Sequence, residues 1–244
     1  MNLLIDVGNS RIKWLLSQNA EVMIDAEIHS VKTIDALVLA WETIAKPHRL
    51  AISNVTGIKR TEQIVKLAER LWPGIEVIIA QTTAYAIGVS NAYAQPENLG
   101  VDRWLVLLAI NRFHQLPAII VDCGTAITVD VLAVDGKHQG GLIIPGLNLM
   151  KKSLQQGAHR LQYTDNVAQT DLGISTPSGI ANGALMSVLG LIEKLYQQLT
   201  EAEGAAQNLI LTGGDAQLIA QHIAINAKVD KYAVLQGLAL LIDE

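Results

Sequence analysis

Ile5-Asp6-Val7-Gly8-Asn9-Ser10 and Val121-Asp122-Cys123-Gly124-Thr125-Ala126 share one form: an apolar residue, an aspartate, any residue, a glycine, a polar residue and a small one. Asp6 and Asp122 stand 116 positions apart, as do Gly8 and Gly124, in a chain of 244 residues. Each copy is followed by a second β-prone stretch, Ile12 to Leu16 and Ile127 to Val134. The pattern reads as strand, tight turn, strand, with glycine supplying the turn. The offset is close to half the chain, so the echo predicts a duplication. Two similar α/β halves facing each other are expected, residues 1–115 and 116–244.

The surrounding sequence fits alternating strands and helices. Ile34, Leu37, Val38, Trp41 and Ile44 recur at helical spacing over 34–45, with Thr33 as a cap. Leu50 to Asn54 reads as a strand, 58–72 as a helix stopped by Pro73-Gly74, and Ile75 to Ala80 as a buried strand. Further helices are expected over 101–114, 178–199 and 232–242, and strands at Ala118 to Val121 and Leu209 to Leu211. The run Leu105 to Ile110 is apolar enough for either a core or an interface. Strands alternating with helices imply sheets covered on their faces.

Composition narrows the function classes. Half the residues are apolar and 17% are charged, which excludes intrinsic disorder. The formal charge is −5, so no bulk attraction to nucleic-acid phosphates is expected. Cys123 is the one cysteine, too few for an intrachain disulfide or a cysteine-rich zinc site. It reads as a small buried strand residue rather than a reactive thiol. The N-terminus lacks a basic leader and Asp6 interrupts its apolar run, so no signal peptide is expected. No apolar run has the length of a membrane span, and a cytoplasmic protein with no membrane partner is expected.

Three constellations could carry chemistry. At the first turn, Asp6 suits a hydrated divalent cation, Gly8 lets backbone approach a phosphate, and Ser10 and Lys13 add a hydroxyl and a charge. The same residues would also make an ordinary hairpin turn. At the second turn, Asp122, Gly124, Thr125, Thr128 and Asp130 would complete a two-sided phosphate clamp. The third is Gly100-Val101-Asp102-Arg103, which opens a helix. There Asp102 either favours the helix dipole or accepts a hydroxyl proton, with Arg103 beside it for an anion. Gly140-Gly141, Pro145-Gly146 and Thr212-Gly213-Gly214-Asp215 are further glycine turns where a ligand could lie against backbone. A P-loop, a dinucleotide fingerprint and a zinc-protease helix motif are all absent from the sequence.

Together these pieces resemble the type III pantothenate kinases. The matching residues are Asp6-Val7-Gly8-Asn9-Ser10 through Lys13, Tyr93, Pro96-Glu97, and Leu99-Gly100-Val101-Asp102-Arg103. Asp122 to Ala126 with Thr128 and Asp130 follow, then Gly140 to Gly146, Ser175-Thr176, Leu211 to Asp215 and Leu235 to Leu238. They occur in family order and span nearly the whole chain. The resemblance implies the fold of the acetate and sugar kinase, heat-shock ATPase and actin superfamily, in which two ribonuclease-H-like domains are duplicated.

The same resemblance implies ATP-dependent phosphorylation of pantothenate to 4′-phosphopantothenate, the first step of coenzyme A biosynthesis. It makes Asp6, Val7, Gly8, Asn9, Ser10, Arg11, Ile12 and Lys13 the ATP phosphate loop, with Asp6 near Mg²⁺, directly or through water. Thr125, Gly213 and Gly214 become further ATP contacts. Asp102 becomes the catalytic base, and Tyr93, Gly100, Val101, Asp102, Arg103 and Thr176 the pantothenate contacts. Asp122 becomes the ligand of a monovalent cation, K⁺ or NH4⁺. A homodimer with pantothenate at its interface is implied. Ser10 stands where the family usually has threonine and keeps the hydroxyl, while Pro177 after Thr176 is a local variation. Another small-molecule kinase of the superfamily, or a non-catalytic accessory transcription regulator, are the alternatives.

Overall fold

The computed structural model describes residues 1–18, 28–157, 168–204 and 207–243. The chain packs into two units. The first comprises Met1–His114, Gly136–His138 and Tyr232–Glu244, and the second Gln115–Asp135 and Gln139–Lys231.

The first unit is built on β1 (Asn2–Val7), β2 (Ile12–Ser17), β3 (His29–Val31), β4 (Arg49–Asn54) and β5 (Glu76–Ile79), in the sheet order β3-β2-β1-β4-β5. Gly8 N–H donates to Arg11 O at 3.0 Å and closes the turn that lays β2 antiparallel to β1. β4 and β5 run parallel to β1, so each needs a crossover. α1 (Ile34–Trp41) and α2 (Ile58–Leu71) supply these crossovers. Thr33 caps α1, its hydroxyl accepting Ala36 N–H at 3.2 Å.

Alternation along β1 explains its unbroken apolar run. Leu3, Ile5 and Val7 pack with Trp14, Trp41 and Ile64 on the face of α1 and α2. Leu4 packs with Leu15, Ala51 and Leu105 on the other face. A sheet buried on both sides needs apolar residues at odd and even positions alike. The second face is covered by α3 (Val101–Phe113) and α7 (Ala233–Asp243). Every residue from Arg103 to Ile110 is buried, so the apolar run in α3 is core. At Gly237 of α7 an added Cβ would run into the carbonyl of Leu105, so the two helices meet backbone to backbone.

The second unit repeats the plan. β8 (Ala118–Cys123), β9 (Ala126–Leu132), β10 (His138–Pro145), β11 (Asn208–Thr212) and β12 (Ala227–Val229) lie in the order β10-β9-β8-β11-β12. β8 pairs antiparallel with β9 and parallel with β11, as β1 does with β2 and β4. β8 begins and ends 116 residues after β1. Ile119, Val121 and Cys123 face a core formed with Ala181, Leu185, Val188 and Ile192 of α5 (Thr176–Glu203). Ser175 and Ser178 form a reciprocal cap at the head of α5, and Pro177 falls at a position where proline suits a helix start. α4 (Leu147–Gly157) and α6 (Ala216–His222) complete this unit. The short hairpin β6 (Tyr85–Ala86) and β7 (Val89–Ser90) belongs to the first.

Candidate active site

Strand parity selects which polar residues of the first unit share a face. Asp6 follows Leu4 on the side covered by α3, and the register sets it opposite Lys13 of β2 and Ser53 of β4. Ser53 Oγ donates to Asp6 Oδ1 at 3.0 Å. Burial, with the charge of Asp102 adding to it, raises the Asp6 carboxyl to about 6 against the pull of Lys13 and the Ser53 hydrogen bond. Asp102 sits in the first turn of α3, so the helix that roofs the sheet also carries a second carboxylate into the field of Asp6.

The head of α3 is shaped around that carboxylate. Asp102 Oδ1 accepts Arg103 N–H at 2.8 Å. A Cβ on Gly100 would stand 2.7 Å from the same oxygen, so glycine leaves room for the rotamer. Val101 packs into the apolar face. Arg103 is 5% exposed; its Nη1 donates to Tyr93 Oη at 3.0 Å, and its guanidinium carbon lies 5.7 Å from the Tyr93 ring centroid. Tyr93 therefore joins the α3 residues, as the sequence series suggests. Asn91 ties its loop: its Oδ1 accepts Tyr93 N–H at 3.0 Å, and its Nδ2 donates to Thr83 O and Pro96 O at 3.3 Å each.

At the first turn Asn9, Ser10 and Arg11 are exposed. Val7 and Ile12, expected in the phosphate loop, are buried, pair with each other across β1 and β2, and pack their side chains into the core.

In the second unit the register places Asp122 opposite Thr128 and beside Thr212. The 213–215 turn lies directly on the 122–124 turn. Asp215 N–H donates to Cys123 O at 3.0 Å. Gly213 has φ 90°, and a Cβ there would stand 2.6 Å from Cys123 N and closer still to Asp122 Oδ1, so no other residue fits. This unites Asp122, Gly213 and Gly214. Thr125 O accepts Gly146 N–H at 3.0 Å, fixing the exposed Thr125 loop against the start of α4. Asp215 is raised by burial, with Lys151 pulling the other way. Cys123 points into the core, where burial raises its thiol, with the charges of Asp122 and Asp215 adding to the effect. Thr176 is exposed at the start of α5. It lines a groove of about 410 Å³ with Met150, Ser153 and Leu154 of α4.

The donor chemistry suits the implied ions. Mg²⁺ keeps much of its water and takes one or two carboxylates besides phosphate oxygens. Asp6, held out of its ordinary range and facing the charge of Asp102, gains from a cation beside it. Asp122 among threonine positions offers oxygen donors of the kind a hard monovalent cation takes.

Sequence reasoning missed Ser53, Asn91 and His138. Ser53 had a readable signal, a polar residue ending the apolar run Leu50-Ala51-Ile52.

The family model described as type III pantothenate kinase matches residues 2–198. A type III pantothenate kinase from Nitrosococcus oceani is 37% identical, covering 98% of this chain and 91% of that protein. Among solved structures, a putative Baf family transcriptional activator from Campylobacter jejuni superposes with a TM-score of 0.65 at 23% identity, covering 99% of this chain and 97% of that one. A putative 2-dehydro-3-deoxygalactonokinase from Sinorhizobium meliloti does so with a TM-score of 0.56 at 13% identity, covering 99% and 96%. These two likenesses show a shared fold. With the family model spanning most of its length and a full-length relative at this identity, the chain belongs to the type III pantothenate kinase family.

Proposed function

We propose that this protein transfers the γ-phosphoryl group of ATP to the primary hydroxyl of pantothenate, releasing ADP and 4′-phosphopantothenate, the first step of coenzyme A biosynthesis. The observation that carries the reading is the Asp102 carboxylate, set by the α3 backbone within the field of the buried-face Asp6. Phosphoryl transfer needs positioning and charge neutralisation more than covalent help from the protein. Asp102 orients the pantothenate hydroxyl and takes its proton as the new O–P bond forms. Arg103 and Tyr93 hold the substrate's anionic and polar groups, with Gly100 and Val101 setting the helix start and Thr176 adding a contact.

The turn from Asp6 to Lys13, with Thr125, Gly213 and Gly214, binds the nucleotide. Mg²⁺ bound with ATP neutralises phosphate charge, and Asp6 would hold it, directly or through water. Asp122 would hold K⁺ or NH4⁺. The protein works in the cytoplasm without nucleic acid or membrane.

The proposed partner is a second copy of the chain. Leu149 and Leu154 of α4, Met186 of α5, and Leu172 and Ile174 leave an exposed apolar surface on the second unit. Isolated soluble chains seldom leave large apolar surfaces uncovered.

Exchange of K⁺ for Na⁺ at constant ionic strength tests the cation assignment. ADP release with Mg²⁺, ATP and pantothenate is expected to fall at least about tenfold, the effect of about 1.4 kcal/mol at the transition state. NH4⁺ should restore it. Equal rates in K⁺ and Na⁺ would remove the role given to Asp122.

A further inference from the structure

Behind Tyr93 lies a residue with no part in the steps above. His138, the first residue of β10, is completely buried. Its ring lies parallel to that of Tyr93, with centroids 6.2 Å apart and planes 15° apart. Its Nδ1 accepts Ala92 N–H at 3.5 Å. The opposite end of Tyr93 meets Arg103 through the 3.0 Å hydrogen bond. One imidazole thus supports both the backbone before Tyr93 and the ring that contacts the arginine. The segment bearing it is anchored to the same hairpin, since Ser90 N–H donates to Gly136 O at 3.1 Å and Lys137 pairs with Ser90.

We propose that His138 is a positioning residue for the pantothenate site, setting where the Tyr93 hydroxyl and the Arg103 guanidinium meet the substrate. The inference rests on the pantothenate reading above. Histidine meets both requirements at once. Phenylalanine would keep the flat platform and lose the acceptor for Ala92, and asparagine would keep an acceptor near Nδ1 and lose the platform. An arginine aimed through a tyrosine needs that tyrosine fixed, because its long side chain has many rotamers of its own.

The test is steady-state kinetics on the full chain with MgATP, varying each substrate, for His138→Phe, His138→Asn, Tyr93→Ala and the double variant Tyr93→Ala/His138→Asn. Each His138 variant should raise KM for pantothenate about 3–10-fold, the range of one aromatic contact or one hydrogen bond. KM for ATP and kcat should stay within about twofold, since both contacts lie on the pantothenate side. In the Tyr93→Ala background, His138→Asn should add less than about twofold, because its effect passes through Tyr93. An unchanged pantothenate KM in both folded variants, parallel changes in both KM values, or full additivity in the double variant would each overturn the positioning role. Melting temperatures separate these results from loss of folded protein. A wild-type protein whose ADP release ignores pantothenate would overturn the substrate reading itself; normal wild-type saturation with unaffected variants would overturn the role of His138 alone.

Discussion

Asp102→Asn is expected to lower kcat for pantothenate phosphorylation by about 10²–10⁴-fold, the usual worth of a positioned general base. The substitution is nearly isosteric. The amide oxygen can still accept Arg103 N–H, which Asp102 Oδ1 accepts at 2.8 Å, and Gly100 still leaves room for the side chain. The head of α3 should therefore keep its shape. What is lost is a group able to take the hydroxyl proton. KM for ATP and the melting temperature should stay close to wild type. Because the Asp102 charge helps to raise Asp6, the Asp6 carboxyl should titrate lower in the variant. Turnover near the wild-type rate would refute the role of Asp102.

Asp6→Asn should separate stability from activity. The native carboxyl titrates at about 6 against an ordinary 3.8, so the folded state binds the proton more tightly than the unfolded chain. Stability therefore falls as pH rises from about 4 to 6 and stays lower above that window, at a cost of up to about 3 kcal/mol. Asparagine carries no such charge. Without nucleotide, Asp6→Asn should be about 1–3 kcal/mol more stable than wild type at pH 7.5, with about half that margin at pH 5. Its kcat should fall at least about 10²-fold through loss of the carboxylate near the transferred charge. Urea melts at the two pH values, with turnover at pH 7.5, check both halves. A variant less stable than wild type at pH 7.5, or one with wild-type turnover, would contradict the account.

Much of this architecture was legible because it rests on local chemistry. The repeat of Asp-x-Gly at an offset of 116 marks the ends of β1 and β8, which share that offset along their whole length. Glycine and aspartate at a strand end leave a strong local signature. Helical spacing placed α1, α2 and α3 from their first residues, since each must lay an apolar stripe on a sheet. α5 starts two residues before the apolar pattern suggests, because the Ser175 cap and Pro177 begin the helix ahead of its buried face.

Other features depend on contacts between distant parts of the chain. α7 lies at the far end of the sequence yet packs with the first unit, through the backbone contact at Gly237. Leu105 to Ile110 could not be separated into core or interface until α7 and the sheet were seen to cover it. α4 escaped notice because Leu147 is its one fully buried residue, leaving little apolar period to read. Tyr93 and Arg103 were found as motif residues, but their supports were not. Asn91 works through an ordinary-looking loop, and His138 lies 45 positions beyond Tyr93, where only the fold brings the rings together.

The most direct measurement incubates the purified protein with MgATP, K⁺ and pantothenate and identifies the product by mass and by phosphorus NMR. The account predicts a pantothenate carrying one phosphoryl ester on its primary hydroxyl, formed in step with ADP and formed at least about 100-fold more slowly with Asp102→Asn. Folded protein that leaves pantothenate unmodified, or that releases ADP at the same rate without it, would contradict the account.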